Sequence, residues 1–290
     1  MPDRRPRVLV NLSLPHRAAA AAQLPADGVG LMRAEFLALS TGRHPGALLA
    51  DGGQDVFVAF FRDALQTVGA AFHPRPVTFR ASDLKSNEYR GLEGGERFEP
   101  AEANPMLGRR GVYRYLLRPE EFALELQALR EVREGGLDNL RLMLPFVRTV
   151  DELRAARAVV AQAFGDVPPP PVWAMAEVPA TALLPQAFAA EVDGISIGSN
   201  DLAQLVLGID RDSPELSAHY AAGDPAVLEA MRRIVDGAHA VGRPVSICGD
   251  APAHDHELLR ALVDMGIDAI SVVPDAVAET VAFLDGQRRP

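Results

Sequence analysis

Six polar side chains follow short apolar runs, at points where a strand would end and a loop would begin. They are Arg33, Arg80, Glu177, Asn200, Asp201 and Cys248. Glu177 and Asp201 are carboxylates, and oxygen ligands of this kind hold Mg²⁺ in proteins. Each also has an ordinary structural interpretation. Glu177 would then be a partner for an arginine, and Asp201 a helix N-terminal acid.

Four arginines accompany these carboxylates: Arg33, Arg80, Arg110 and Arg211. A guanidinium group beside buried apolar residues needs an anion, because an unpaired charge there is costly. The anion is either a carboxylate of the protein or the phosphate and carboxylate of a substrate, which arginine binds through parallel hydrogen bonds. If all four arginines face the two carboxylates, the sequence predicts a receptor for a small polyanion.

Cys248 is the only cysteine of the chain. Taken alone, it is most simply a small buried hydrophobic residue. Inside an electropositive pocket it is instead a proton donor or a nucleophile, with a thiol pKa that the arginines draw toward neutrality. The choice between these interpretations depends on whether the arginines lie beside it.

The elements that would position these residues alternate between short apolar runs and longer stretches with helical spacing. Strands are predicted at residues 8–12, 28–32, 77–80, 140–145, 172–176, 194–197, 244–248 and 269–272. Helices are predicted at residues 56–68, 119–134, 149–164, 181–190, 226–240, 256–265 and 275–284. Eight such units predict an α/β fold, a closed (β/α)₈ TIM barrel, with a doubly wound open sheet as the alternative. In a barrel the strand ends converge on one mouth, which would bring the polar residues together.

Residues 1–290 are predicted to form a single barrel domain, a size that such barrels commonly reach. Residues 82–105 follow a strand and are rich in Gly and Glu, which predicts a long βα loop on the face where barrel active sites lie. Residues 210–224 are polar and are predicted to close the sixth unit.

Charge and hydropathy argue against two classes of protein. The net charge of −10 disfavours nucleic-acid binding, which needs clustered basic residues. No apolar run approaches the roughly 20 residues that cross a bilayer, which argues against a membrane protein. A single cysteine, together with no recognisable secretory signal, favours a cytoplasmic location.

Seven stretches of the sequence resemble the C-terminal phosphoenolpyruvate- and pyruvate-binding domain of the phosphoenolpyruvate-utilising enzymes, most closely the synthase branch. They are GVGLMRAEF (28–36), KSNEYRG (85–91), GGERF (94–98), NPMLGRRG (104–111), LPFVRTV (144–150), GSNDLAQ (198–204) and ICG (247–249). The resemblance covers nearly the whole chain. It implies a (β/α)₈ barrel that binds Mg²⁺ together with phosphoenolpyruvate or pyruvate at its mouth.

The same resemblance implies a role for each candidate residue. Glu177 and Asp201 would ligate Mg²⁺, Arg110 would stabilise the phosphoryl group in transfer, and Cys248 would exchange a proton with C3 of pyruvate. The substrate phosphate and carboxylate would be bound by Arg33, Arg80, Asn200 and Arg211. The implied reaction is phosphoryl transfer between pyruvate enolate and a phosphohistidine.

The family's phosphohistidine belongs to a swivelling domain that works with an ATP-grasp domain. Neither domain is recognised in these 290 residues, so the phosphohistidine is expected from another domain or chain. The resemblance also implies a homodimer formed through the barrel. Two alternatives stay open: a Mg²⁺-dependent lyase of the citrate-lyase or pyruvate-aldolase type, and a non-catalytic phosphoenolpyruvate-binding module that regulates a partner.

The sequence departs from the family pattern at a few positions near the candidate site. Ala34 and Ala203 stand where a hydroxyl residue is usual, and Ala203 puts a hydrogen bond at the metal or substrate in doubt. The histidine that normally follows the cysteine is shifted, and His254 and His256 lie nearby instead. A proton relay from Cys248 through a histidine is therefore left unassigned.

Overall fold

Eight parallel strands close into a barrel in the computed structural model, which describes residues 5–217, 222–249, 251–253 and 255–286. The strands are β1 (Arg7–Leu12), β2 (Val29–Arg33), β3 (Val77–Arg80), β4 (Leu140–Leu144), β5 (Val172–Ala176), β6 (Gly194–Gly198), β7 (Val245–Cys248) and β8 (Ala269–Val272). Each pairs with its sequence neighbours, and β8 pairs with β1. The eight predicted strands are confirmed to within one residue at each end, and the closed barrel is confirmed over the open sheet.

Fifteen α-helices surround the strands in the described part of the chain. They are α1 (Ala18–Ala21), α2 (Glu35–Ser40), α3 (Pro45–Ala50), α4 (Gln54–Phe72), α5 (Ser86–Arg90), α6 (Val112–Leu117), α7 (Pro119–Glu134), α8 (Val150–Phe164), α9 (Pro179–Leu183), α10 (Pro185–Ala189), α11 (Ser199–Leu207), α12 (Pro214–Ser217), α13 (Pro225–Ala240), α14 (His256–Met265) and α15 (Val277–Gly286). None of them, within the described ranges, is both long and apolar enough to span a bilayer.

Two helix predictions need correction. Residues 181–190 form two short helices, α9 and α10, because Pro185 begins a new helix directly after Leu184. Helix α11 was not predicted, although it holds two candidate site residues, because its nine residues are too few to show a clear helical period. Part of residues 210–224 lies outside the described residues, and α12 occupies the part just before it.

Strand side chains alternate between the helices outside and the barrel interior, as parallel barrel strands require. The outward side chains pack with the helices in one large buried cluster. The inward side chains of the middle of the barrel form a second, separate cluster of Leu31, Met143, Trp173, Met175 and Cys248. This cluster extends from Trp173, near the start of β5, to Cys248, the last residue of β7, and the candidate site residues lie at the carboxyl ends of the strands.

The connection after β3, residues 81–111, is not a plain loop, since it contains α5 and a 3₁₀ turn. A buried polar network holds its outer part. His44 Nδ1 accepts a backbone N–H at 3.0 Å, so His44 Nε2 carries the proton and donates it to Glu99 at 3.0 Å. Arg114 contacts the same Glu99 and donates to Glu121 at 2.7 Å. Breaking a buried pair of this kind is strongly destabilising, so the network fixes the segment on the barrel.

Glu125 on α7 supports the inner end of the same connection. Its side chain is buried, and its Oε2 accepts the backbone N–H of Ser82 at 3.0 Å. Burial raises the pKa of Glu125 from 4.5 to about 7, against the effect of that hydrogen bond. The folded protein therefore keeps a proton that the unfolded chain releases near pH 4.5. The stability that this group contributes is greatest below that pH and falls as the pH rises through about 7.

We expect Glu125→Gln to remove this dependence, because glutamine stays neutral and still offers an oxygen to Ser82. As the pH goes from about 5 to about 8, the original chain should lose about 3 kcal/mol of its free energy of unfolding that the variant does not lose. Urea unfolding at several pH values measures this difference. Glu134→Gln on the same helix is the exposed control, and parallel pH profiles for all three proteins would contradict the expectation.

Candidate active and metal-binding site

The strand ends bring the predicted site residues to one mouth of the barrel. Arg33, Arg80 and Cys248 are the last residues of β2, β3 and β7, and Glu177 directly follows β5. The other four lie in the segments after the strands: Arg110 before α6, Asn200 and Asp201 in the first turn of α11, and Arg211 after α11. The predicted convergence is therefore present in the fold, and the contacts decide what each residue can do.

Three buried carboxylates form the centre of the mouth. One ligand oxygen from each of Asp83, Glu177 and Asp201 lies within 4.8 Å of the others, among the described residues. Asp201 Oδ1 is buried and accepts no hydrogen bond of good geometry among the described residues, although Arg211 Nη2 lies 3.1 Å from it as an ion-pair partner. A set of carboxylate oxygens suits a hard cation such as Mg²⁺. The residues present therefore fit a magnesium ion.

Asp83 was missed at the level of sequence. It lies three residues beyond Arg80, in the connection that follows β3, and its side chain is buried. The signal that could have identified it is its position in a loop predicted to lie at the mouth. Many acids lie in such loops, and only the folded structure shows that this one meets Glu177 and Asp201.

Glu177 is held by an unusual backbone conformation. Its Oε1 accepts the N–H of Phe146 at 2.6 Å, and Phe146 has φ of 49°. A bulky residue in the left-handed region costs about 1–3 kcal/mol and is typical of functional sites. Burial, followed by repulsion from Asp201 and Asp83, raises the pKa of Glu177 from 4.5 to about 8.

Arg110 is clamped by two of the three acids. Its Nη2 lies 2.6 Å from Asp83 and 2.9 Å from Asp201, and its Nε donates to Asp83 at 3.1 Å. Its guanidinium lies 4.0 Å from the centre of the Phe146 ring. Arg110 is thus buried, and these contacts hold its guanidinium beside the acid cluster.

Arg80 and Arg211 also meet carboxylates of the protein. Arg80 donates to Glu35 Oε1 at 2.7 Å, and the same oxygen accepts the N–H of Asp83 at 2.9 Å. Arg211 lies 3.1 Å from Asp201 and is more exposed. For these two arginines, as for Arg110, the protein supplies an anion, which is the structural alternative that the sequence left open. Glu35 was not predicted, and it positions both an arginine and a member of the acid cluster.

Arg33 differs from the other three arginines. Its guanidinium is half-buried and makes no ion pair or hydrogen bond with the described residues. Its charge lies close enough to Cys248 to favour the thiolate. Arg33 is therefore the arginine of the mouth whose charge is available to an anionic ligand.

The expected pKa of Cys248 was wrong in direction. Burial raises its thiol pKa from 9.0 to about 11, and this outweighs the opposing effects of Arg80 and Arg33. The sequence does not show how deeply the thiol is buried, and burial has the largest effect on its pKa. Cys248 is consequently a protonated thiol at neutral pH, which suits a proton donor better than a resting nucleophile.

The contacts of Asn200 and His256 show whether these two predicted neighbours of Cys248 lie near it. Asn200 lies beside Gly249, because a Cβ at that glycine would be 3.1 Å from Asn200 Oδ1. His256 contacts α15, stacking on Phe283 and pairing with Glu279 at 3.4 Å. These contacts do not connect His256 to the thiol. Asp250 and His254 lie outside the described residues.

The two alanines that depart from the family pattern make apolar contacts here: Ala34 is fully buried at the start of α2, and Ala203 packs against the main core.

Comparison with known proteins gives two kinds of relatives. The chain is 47% identical over 281 residues to a probable phosphoenolpyruvate synthase of Staphylothermus marinus, covering 94% of this chain and 34% of that protein. It is 42% identical over 316 residues to the phosphoenolpyruvate synthase of Deinococcus radiodurans, covering 99% of this chain and 40% of that protein. The chain thus spans well under half of the length of these curated relatives.

Solved structures support the fold. The citrate lyase beta subunit of M. tuberculosis, complexed with oxaloacetate and magnesium, superposes with a TM-score of 0.54 at 18% identity, covering 99% of each chain. An HpcH/HpaI aldolase/citrate lyase family protein of Burkholderia cenocepacia gives a TM-score of 0.55 at 16% identity, covering 98% of this chain and 93% of that one. At such identities the likeness concerns the barrel alone.

The family comparison covers almost the entire chain. Residues 2–287 match the family described as PEP-utilising enzyme, PEP-binding domain. The family resemblance predicted from the seven stretches is therefore confirmed, and the chain belongs to the phosphoenolpyruvate-utilising enzymes through their phosphoenolpyruvate-binding domain.

Proposed function

We propose that this chain binds phosphoenolpyruvate and pyruvate at the barrel mouth with Mg²⁺. We further propose that it carries the half-reaction between pyruvate enolate and a phosphohistidine supplied by another domain or chain. One observation carries this proposal: three buried acids, four arginines and a buried thiol meet in one mouth. The chain also shares 47% identity with a probable phosphoenolpyruvate synthase. The proposed compartment is the cytoplasm, which suits a chain with one free thiol.

Substrate binding would depend on the arginines at the strand ends. Phosphoenolpyruvate carries a phosphate and a carboxylate, and planar guanidinium groups match both. Arg33 offers a charge that no described carboxylate satisfies, so it is the first anchor. Arg80, Arg211 and Asn200 line the same mouth and complete the proposed substrate set.

Charge stabilisation would come from the acid cluster and Arg110. Mg²⁺ bound by Asp83, Glu177 and Asp201 would supply positive charge to the enolate and phosphoryl oxygens. Arg110 is held against Asp83 and Asp201, so its guanidinium is already oriented toward that position. Fixed donors of this kind stabilise developing charge without reorganisation during the reaction.

Cys248 would move the proton at C3. In the direction of pyruvate, the electron pair of the enolate double bond takes the proton of the thiol and forms the new C–H bond. The thiolate that remains faces Arg80 and Arg33, whose charges favour it. In the opposite direction, the thiolate removes a proton from C3 as the enolate forms. Because Cys248 rests as a thiol, it must first give its proton to water before it can act as this base, and the same exchange with water brings solvent deuterium to C3.

Exchange of the C3 protons of pyruvate with solvent deuterium tests this function. With Mg²⁺ present, NMR should show exchange catalysed by the chain, and chelation of the metal should abolish it. The chain alone should make no phosphoenolpyruvate from ATP. If the chain showed no exchange and also did not bind phosphoenolpyruvate, the proposal would be contradicted. Binding without exchange would favour the regulatory module, and cleavage of a 2-oxo-4-hydroxy or citramalyl acid would favour the lyase.

Glu35 provides a narrower test of how the site is held. In Glu35→Ala, the buried guanidinium of Arg80 and the N–H of Asp83 both lose their acceptor, so phosphoenolpyruvate affinity should fall about tenfold. Glu35→Gln keeps an oxygen at the same place and should restore most of the affinity. Calorimetric titration with phosphoenolpyruvate measures both variants. Equal affinity in the alanine and glutamine variants would show that Glu35 does not position Arg80.

A further inference from the structure

Two arginines lie at the end of the barrel opposite the mouth. Arg7 is the first residue of β1, and Arg141 is the second residue of β4. Their neighbours Val8, Leu140 and Leu142 belong to the helix-facing core. Because strand side chains alternate, Arg7 and Arg141 both point into the barrel interior.

The two guanidinium groups affect each other across the barrel. β1 and β4 are not neighbours in the sheet, so side chains on them approach only through the interior. Burial, followed by the positive charge of Arg7, lowers the pKa of Arg141. Two positive charges thus share a partly desolvated space, which is unfavourable without a counter-charge.

No carboxylate in the described ranges neutralises either arginine. Neither guanidinium has an ion pair or hydrogen bond there, and Arg141 lies over the Trp173 ring at 5.3 Å from its centre. Four acids lie just before strands at this end of the barrel. The exposed Asp138 lies 3.6 Å from His73, and the other three each accept a backbone N–H near the start of a strand. The three bonds run from Val8 to Asp27, from Val172 to Asp193 and from Val245 to Asp268, at 2.9, 2.8 and 2.7 Å.

We propose that Arg7 and Arg141 form a binding site for a small oxyanion of the phosphate class at the amino-terminal end of the barrel interior. Donors on two strands that are not neighbours can each take oxygens of one tetrahedral anion. Arg7, Arg141 and Trp173 are not among the residues proposed to act at the mouth. The proposal therefore does not depend on the function proposed for the mouth.

The site has a built-in reporter, because Trp173 is the only tryptophan of the chain. An anion that binds Arg141 should change the fluorescence of the indole ring beneath that guanidinium. We expect inorganic phosphate, titrated at constant ionic strength against chloride, to give a saturable fluorescence change. In Arg7→Met, which leaves Arg141 and Trp173 in place, the phosphate affinity from this signal should fall about tenfold or more.

Two further variants decide where the phosphate binds. Arg141→Met should lose the same signal, and in chloride buffer it should melt no lower than the original chain, because a repulsion has been removed. Arg33→Met, which alters the mouth, should keep the signal, and phosphoenolpyruvate affinity should be unchanged in Arg7→Met. The proposal is overturned if phosphate gives no saturable change. It is equally overturned if Arg7→Met binds phosphate like the original chain, or if Arg33→Met alone loses the response.

Discussion

Replacing Cys248 by alanine is expected to slow the exchange of pyruvate C3 protons by about 10²- to 10⁴-fold, the usual contribution of a positioned acid or base. The thiol is buried at the end of β7, protonated at neutral pH and close to Arg80 and Arg33. Alanine fills most of the same space and leaves the arginines and the acid cluster in place. The binding of phosphoenolpyruvate, measured by calorimetry, should therefore change little while the exchange measured by NMR is lost.

The control for this variant is Ser196→Ala. Ser196 Oγ lies 3.8 Å from the thiol sulfur, so the substitution removes a polar neighbour without removing the acid. We expect Ser196→Ala to keep exchange within about tenfold of the original rate. If Cys248→Ala exchanges the C3 protons as fast as the original chain, another group carries the proton and the assigned role of Cys248 is wrong.

Replacing Glu177 by glutamine is expected to lower Mg²⁺ affinity by about 100-fold or more, since even residues that only support metal ligands change affinity by about 10- to 100-fold. Glutamine has nearly the same shape and resembles the protonated glutamic acid that the raised pKa of Glu177 favours at neutral pH. The variant should therefore fold. The rise in melting temperature on adding Mg²⁺ should be present in the original chain and absent in Glu177→Gln.

Two further variants are compared with Glu177→Gln in the metal test. Glu229→Gln removes an exposed carboxylate on α13 that pairs with Arg233, and it should leave the Mg²⁺ response unchanged. Asp83→Asn tests whether the acid that the sequence did not reveal is itself a ligand, in which case it should lose the response as Glu177→Gln does. A full Mg²⁺ response in Glu177→Gln would exclude the acid cluster as the metal site.

The strands and the longer helices were predictable because local patterns specify them. Short β-branched runs bounded by turn residues marked each strand, and α7 and α14 were predicted at the bounds that the structure shows. Short helices such as α5 and α11 were missed, since five to nine residues do not establish a helical period. The buried network around Arg114 was missed as well, because its members come from distant parts of the chain.

What the sequence by itself determined is the alternation of eight strands with helices and the polar residues at the strand ends, because both follow from the order and periodicity of the elements. Closure of the sheet, and with it the convergence of those residues on one mouth, was predicted from the sequence and is shown by the structure. Only the tertiary structure decided which carboxylate meets which arginine, that Asp83 joins Glu177 and Asp201, and that Arg33 is left without a described partner. It also reversed the expected pKa of Cys248. Coulomb energies and desolvation depend on distance and depth in space, and neither quantity is written in the spacing of residues along the chain.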